Sequence, residues 1–190
     1  QYTQNDCPTC YFKGNVIYMS TFSKTLAPGL RLGWIVAPKS VIQHCVMTKQ
    51  GMDLHTSSFI QMVAYEVARD GFLAHHVREI REVYRQRRDI MLAAMSEHFP
   101  PGVSWTRPQG GLFLWVTLPE GLDSAAVLEQ AIANKVAFVP GETFYPHGDS
   151  HNSFRLNFSN ARPEQIEEGI RRLGEVLWQA VSAEVGVSVA

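Results

Sequence analysis

Two continuous apolar runs, Val16-Ile17-Tyr18-Met19 and Leu32-Gly33-Trp34-Ile35-Val36-Ala37, constrain the fold of this chain more than any other feature. Neither alternates polar with apolar, as a half-solvated strand would. Continuous runs of this length fit strands of a sheet covered on both faces. Helical spacing follows at once. Pro38 suits the first position of a helix that carries Val41, Ile42, Cys45 and Val46, and Ser57 or Ser58 suits the cap of another with Phe59, Met62, Val63 and Val67. A long helix is expected from about 72 to 98, with Val77, Ile80, Tyr84, Met91 and Met95 on one face. After Pro100-Pro101-Gly102, short strands are expected at 103–105, 112–116, 136–139 and 154–158, with one helix at 125–134 among them. Pro163 then opens a last helix whose buried stripe is Ile166, Ile170, Leu173 and Leu177. The order predicts an α/β chain in two parts. Residues 1–71 read as the end of a large, mostly parallel sheet domain with helices on both faces, and residues 72–190 as a long connecting helix with a small α+β domain.

Composition narrows the partners. Lys plus Arg number 17 against 18 for Asp plus Glu, so nothing in the charge asks for nucleic acid or an anionic membrane. Arg78, Arg81, Arg85, Arg87 and Arg88 on the long helix are interleaved with Glu79, Glu82 and Asp89, and read as a solvated face with local ion pairs. No apolar stretch is long enough to span a bilayer, and no charged-then-apolar leader opens the chain at Gln1. Three cysteines cannot pair completely, which favours a reducing, cytoplasmic compartment. Cys7-Pro8-Thr9-Cys10 lacks the second ligand pair of a zinc site and precedes the first strand, so both thiols read as loop cysteines and no metal is expected.

Chemistry gathers between the two apolar runs. Thr21-Phe22-Ser23-Lys24-Thr25-Leu26-Ala27-Pro28-Gly29-Leu30-Arg31 places an amine, several hydroxyls and a guanidinium on one turn. A lysine whose pKa is lowered by burial or cationic neighbours can attack a carbonyl. Thr21 and Ser23, two residues apart, would share one side of an extended backbone, and with Arg31 they suit a phosphate. A polar surface turn with incidental Ser, Lys and Arg is the alternative. Arg155 stands in the otherwise apolar strand Phe154-Arg155-Leu156-Asn157-Phe158, where a guanidinium needs an anionic partner. A substrate carboxylate would match its planar fork, and an internal salt bridge to Asp or Glu is the alternative. Gly110-Gly111 allows either close approach of a ligand or a tight hairpin, and Phe144-Tyr145 would wall a pocket or simply pack.

The run from Thr21 to Gly33 resembles the cofactor-lysine segment of fold-type I pyridoxal-phosphate enzymes. Within them it is similar to the 2-aminoadipate, kynurenine and broad-specificity aminotransferases. Pro108-Gln109-Gly110-Gly111-Leu112-Phe113-Leu114-Trp115, Pro140-Gly141-Glu142-Thr143-Phe144-Tyr145, Phe154-Arg155-Leu156-Asn157-Phe158-Ser159 and 164–170 resemble later segments of the same group. The resemblance implies an aminotransferase that moves an amino group between an amino acid and a 2-oxo acid. In it Lys24 forms the Schiff base with pyridoxal 5'-phosphate, Thr21, Ser23 and Arg31 hold the phosphate, and Arg155 holds the substrate α-carboxylate. It also implies a homodimer for the full-length protein, with no nucleic acid or membrane bound by this segment. The family's pyridine-nitrogen aspartate, ring-stacking aromatic and glycine-rich helix start lie upstream of the lysine, mostly farther than 23 residues. The expectation is therefore a C-terminal half, inactive alone. Transcription regulators that fuse this fold behind a winged-helix DNA-binding domain carry similar lysine segments and form the alternative.

Overall fold

The computed structural model describes residues 16–148 and 150–184. Cys7 and Cys10 lie outside the described residues. The chain divides into two compact units, one up to Ile80 and one from Arg81.

In the first unit β1 (Tyr18–Thr21) and β2 (Gly33–Val36) form a two-stranded antiparallel sheet, with Tyr18 opposite Val36 and Thr21 opposite Gly33. No parallel pairing occurs among the described strands. The reason is local: the chain between these strands is a short turn, whereas parallel neighbours need a long crossover. Tyr18 and Trp34 bring their rings within 5.2 Å across the pair. Two helices follow, α1 (Lys39–Met52) and α2 (Ser58–Ala68). Pro38 is the cap of α1 rather than its first residue. Ser57 caps α2, its hydroxyl accepting from the Ile60 amide. Among the described residues of this unit, Leu32, Ala37 and Ala64 are the buried apolar ones. Met19, Met52, Phe59, Met62 and Tyr65 are instead exposed, so the strands read as doubly covered lack that cover among the described residues.

Helix α3 (Phe72–His98) occupies the expected span, and its buried residues Met91, Ala94 and Met95 all fall in the second unit. That unit has a four-stranded antiparallel sheet of β3 (Ser104–Trp105), β4 (Phe113–Thr117), β5 (Val139–Pro140) and β6 (Ser153–Asn157), in the order β3-β4-β6-β5. Helices α4 (Ser124–Ala133) and α5 (Pro163–Glu184) complete it. Leu114, Val116, Phe154 and Leu156 point into a core closed by Met95, Leu173 and Leu177. Phe138 stacks on Phe154 at 4.1 Å. The expected stripe Ile166, Ile170, Leu173 and Leu177 is buried throughout. Pro163 does open α5, and the poor cap residue before it is compensated: the Arg162 amide donates to Gln165 Oε1 at 3.1 Å.

Two expectations shift. The strand placed at 136–139 begins only at Val139, because Lys135 turns left-handed (φ 64°) and the Val136 amide still donates to the Ala131 carbonyl as α4 ends. The arginine face of α3 is not wholly solvated. Arg87 donates to the Ser159 carbonyl and Arg88 to the Pro108 carbonyl, so two of its guanidinium groups hold the loops that flank β6 and β4. No helix among the described residues is long and apolar enough to cross a membrane.

Candidate active site

The first unit presents the lysine turn. Phe22 closes it from both sides: its amide donates to the Leu32 carbonyl at 3.1 Å, and its carbonyl accepts from the amides of Leu26 and Ala27. Lys24 stands exposed at the tip. Thr21 and Ser23 come together, though by a tighter route than extended alternation. The Ser23 amide donates to Thr21 Oγ1 at 2.8 Å, and that hydroxyl in turn donates to Ser23 Oγ at 2.8 Å. The backbone has already turned here, so the hydroxyl pair is fixed by a side-chain-to-backbone bond. Arg31 is exposed and left-handed (φ 52°, ψ 38°), and both its amide and its Nη1 donate to the Pro28 carbonyl at 3.3 Å. A non-glycine residue held left-handed costs about 1–2 kcal/mol. The turn therefore keeps Arg31 in a conformation that its residue type disfavours.

The second unit presents Arg155. In β6 it lies opposite Trp115 of β4 on one side and Val139 of β5 on the other. Phe113 is two residues from Trp115 and so shares this face, while Leu114, Val116, Phe154 and Leu156 face the core. The guanidinium meets aromatic faces: Cζ lies 4.0 Å from the Phe113 ring centroid and 4.5 Å from that of Phe144. Trp115 packs edge-on against Phe144 at 5.5 Å and lies 6.1 Å from Tyr145. The Arg155 guanidinium pairs with no carboxylate and makes no hydrogen bond among the described residues, so the internal salt bridge is not what holds it. The aromatics that hold it were missed as its partners. Their signal was present in the alternation: Phe113-x-Trp115 and Arg155-x-Asn157 share one period-two phase once the strands are in register.

A short 3-10 turn at Gly141–Phe144 carries Phe144 into place. A Cβ at Gly141 would lie 2.1 Å from Ser153 Oγ and 2.8 Å from the Ser153 carbonyl, so only glycine allows this turn to press against β6. Thr143 fastens it by donating its hydroxyl to the Pro140 carbonyl at 3.1 Å. The Gly110-Gly111 approach leads into β4, with Gly111 left-handed at φ 84°.

Thr21, Ser23, Lys24 and Arg31 thus share one connection in the first unit, and Arg155 heads a separate aromatic cluster in the second. Residues 5–173 match the model of the family described as aminotransferase class I and II. The chain belongs to that family. Aromatic-amino-acid aminotransferase 1 of Thermococcus litoralis is 49% identical over 165 residues, covering 87% of this chain and 40% of that protein. The solved structure of LysN, an α-aminoadipate aminotransferase from Thermus thermophilus complexed with N-(5'-phosphopyridoxyl)-L-leucine, matches with a TM-score of 0.84. It is 40% identical, and the match covers 88% of this chain and 43% of that one. An uncharacterized HTH-type transcriptional regulator of Bacillus subtilis is 31% identical, over 89% of this chain and 35% of its own length. The chain therefore spans about two-fifths of the length of its enzyme relatives. The fold-type I class expected from the sequence is shown by these neighbours, with antiparallel pairing among the described strands.

Proposed function

We propose that this chain is the C-terminal segment of a pyridoxal-phosphate-dependent aminotransferase, which transfers the amino group of an amino acid to a 2-oxo acid. The observation that carries the reading is the lysine turn: an exposed primary amine beside two hydroxyls in mutual contact and a guanidinium held left-handed on the same connection. This donor set fits a phosphate and an aldehyde. Hydroxyls and a guanidinium match phosphate oxygens, and a primary amine matches the carbonyl carbon.

When bound, pyridoxal phosphate supplies the electron sink that makes the substrate Cα–H acidic. The chain supplies the rest. Thr21, Ser23 and Arg31 would hold the phosphate, Lys24 would hold the cofactor through its amine and move the proton at the substrate Cα, and Arg155 would bind the α-carboxylate. Fixing phosphate and carboxylate at two points orients the Cα–H bond, which is where positioning gains rate. The uneven cysteine count supports a cytoplasmic setting, and the exposed apolar side chains of the first unit support a homodimer of the full-length protein.

The regulator relative supports a second reading, in which the same fold senses an amino acid rather than converting it. Its lower identity, 31% against 49%, favours the enzyme. The two part in one assay: a full-length protein carrying this segment, loaded with pyridoxal phosphate, should convert 2-oxoglutarate to glutamate with an amino-acid donor. Loading without turnover across aromatic, branched and acidic donors would overturn the enzyme reading.

A further inference from the structure

Among the described residues, Arg155 is a cation on a sheet face whose charge is met only by aromatic rings. An aspartate or glutamate in their place would neutralise the guanidinium but would also occupy the fork of donors that a ligand carboxylate must use. Ring faces attract the cation through their quadrupole and accept none of its in-plane hydrogen bonds. The arrangement therefore stabilises the charge and leaves the donors open.

We propose that Phe113 and Phe144 are positioning residues for carboxylate recognition, holding the Arg155 guanidinium by their ring faces so that its donors remain available. This rests on Arg155 binding the α-carboxylate, as in the proposed function. Phe113 is set by strand register, in β4 beside the Trp115–Arg155 pair. Phe144 is set by the turn that Gly141 permits, and Trp115 packs edge-on against its ring. Two elements far apart in sequence thus converge on one Cζ atom. Rigid placement of this kind lowers the rotamer entropy that a long arginine side chain loses when it binds a ligand.

The test uses a full-length protein carrying this segment, loaded with pyridoxal phosphate, with the Arg155 Nε–Hε resonance followed by NMR while sodium pyruvate is titrated. Before pyruvate is added that resonance should lie upfield through ring currents, and pyruvate should shift it. In Phe113→Leu with Phe144→Leu the upfield displacement should vanish and the pyruvate midpoint should rise about 3- to 10-fold, two cation–π contacts to a half-buried guanidinium being lost. Phe113→Tyr with Phe144→Tyr, which keeps both rings, should restore both readouts. Equal pyruvate midpoints in the parent chain and the leucine variant would overturn the positioning role while leaving Arg155 as the carboxylate site. No pyruvate shift in the unaltered chain would overturn both. Loss of the β4–β6 backbone resonances in the leucine variant would show a structural role instead, and would also overturn the proposal.

Discussion

The two units answer the same kind of sequence pattern in opposite ways. In the second, Met95, Leu114, Phe154, Leu173 and Leu177 are fully enclosed, contributed by two helices and two strands of one core. In the first, Met19, Phe59 and Met62 are each at least 60% exposed, although their spacing predicts burial equally well. Periodicity reports which face of an element needs cover and is silent on what provides it. The second unit covers its own apolar faces, while the first holds its apolar surface open. The candidate site residues divide along the same line, with Thr21, Ser23, Lys24 and Arg31 on the open unit and Arg155 on the closed one.

The sharpest way to break that division is through Lys24. In a full-length protein carrying this segment, Lys24→Ala should abolish both the visible absorbance of the cofactor and turnover. Arg155→Ala should keep the absorbance and weaken amino-acid and 2-oxo-acid substrates about 10- to 100-fold, the value of charge-assisted hydrogen bonds. A spectrum unchanged in the lysine variant, or lost in the arginine variant, would undo the division.

Packing gives the next largest contrast. Phe154→Ala empties the centre of the second unit beside Phe138 and should cost about 3–5 kcal/mol in chemical denaturation of the 190-residue chain. Phe59→Ala, on the open face of α2, should stay within about 0.5 kcal/mol. Similar costs for the two would mean that Phe59 is covered in solution. Gly174→Ala falls between them. Its Cβ would lie 2.6 Å from the His98 carbonyl, where α5 presses on the end of α3, so about 1–3 kcal/mol of overpacking is expected.

Much of this was legible in the sequence where the signal is local. Helices α3 and α5, the Ser57 cap, Pro163 and the stripe from Ile166 to Leu177 all follow from spacing and capping chemistry. The lysine turn was legible as a cluster of residue types. What escaped depends on register and on elements distant in sequence. The antiparallel β1–β2 pairing, the late start of β5 after left-handed Lys135, and the rings around Arg155 are set by which strands meet. Arg87 and Arg88 show the same limit. Charge interleaving gives no sign that two of the arginines on α3 reach loop carbonyls.

Arg31 separates fold from function within the open unit. Arg31→Gly relieves a left-handed backbone yet adds chain entropy in the unfolded state, so stability should change by no more than about 1 kcal/mol. Phosphate affinity should still fall, because the guanidinium is gone. Equilibrium dialysis of pyridoxal phosphate against the full-length variant, beside its thermal melt, reads the two effects apart. A large loss of stability would place Arg31 in the framework of the turn.

The smallest expected effect concerns whether the closed unit leans on surface charge as well as on its core. On α5, Glu168 accepts from Arg171 Nε and Nη2 at 2.8 Å and from Arg172 Nε at 2.7 Å. These bonds, that from Arg171 first, hold its carboxyl down to about 2, against partial desolvation that opposes them. A carboxyl lowered on folding stabilises above its unfolded value of 4.5, and that contribution is lost as pH falls from there towards 2. Glu168→Gln should therefore lower the melting temperature slightly at pH 7, and the gap should close by about pH 2. High salt should narrow it at neutral pH, since the three side chains are between 38% and 44% exposed. A gap that persists at pH 2 would show that Glu168 acts through packing. The closed unit would then owe nothing to this ion pair, and its contrast with the open one would rest on apolar burial alone.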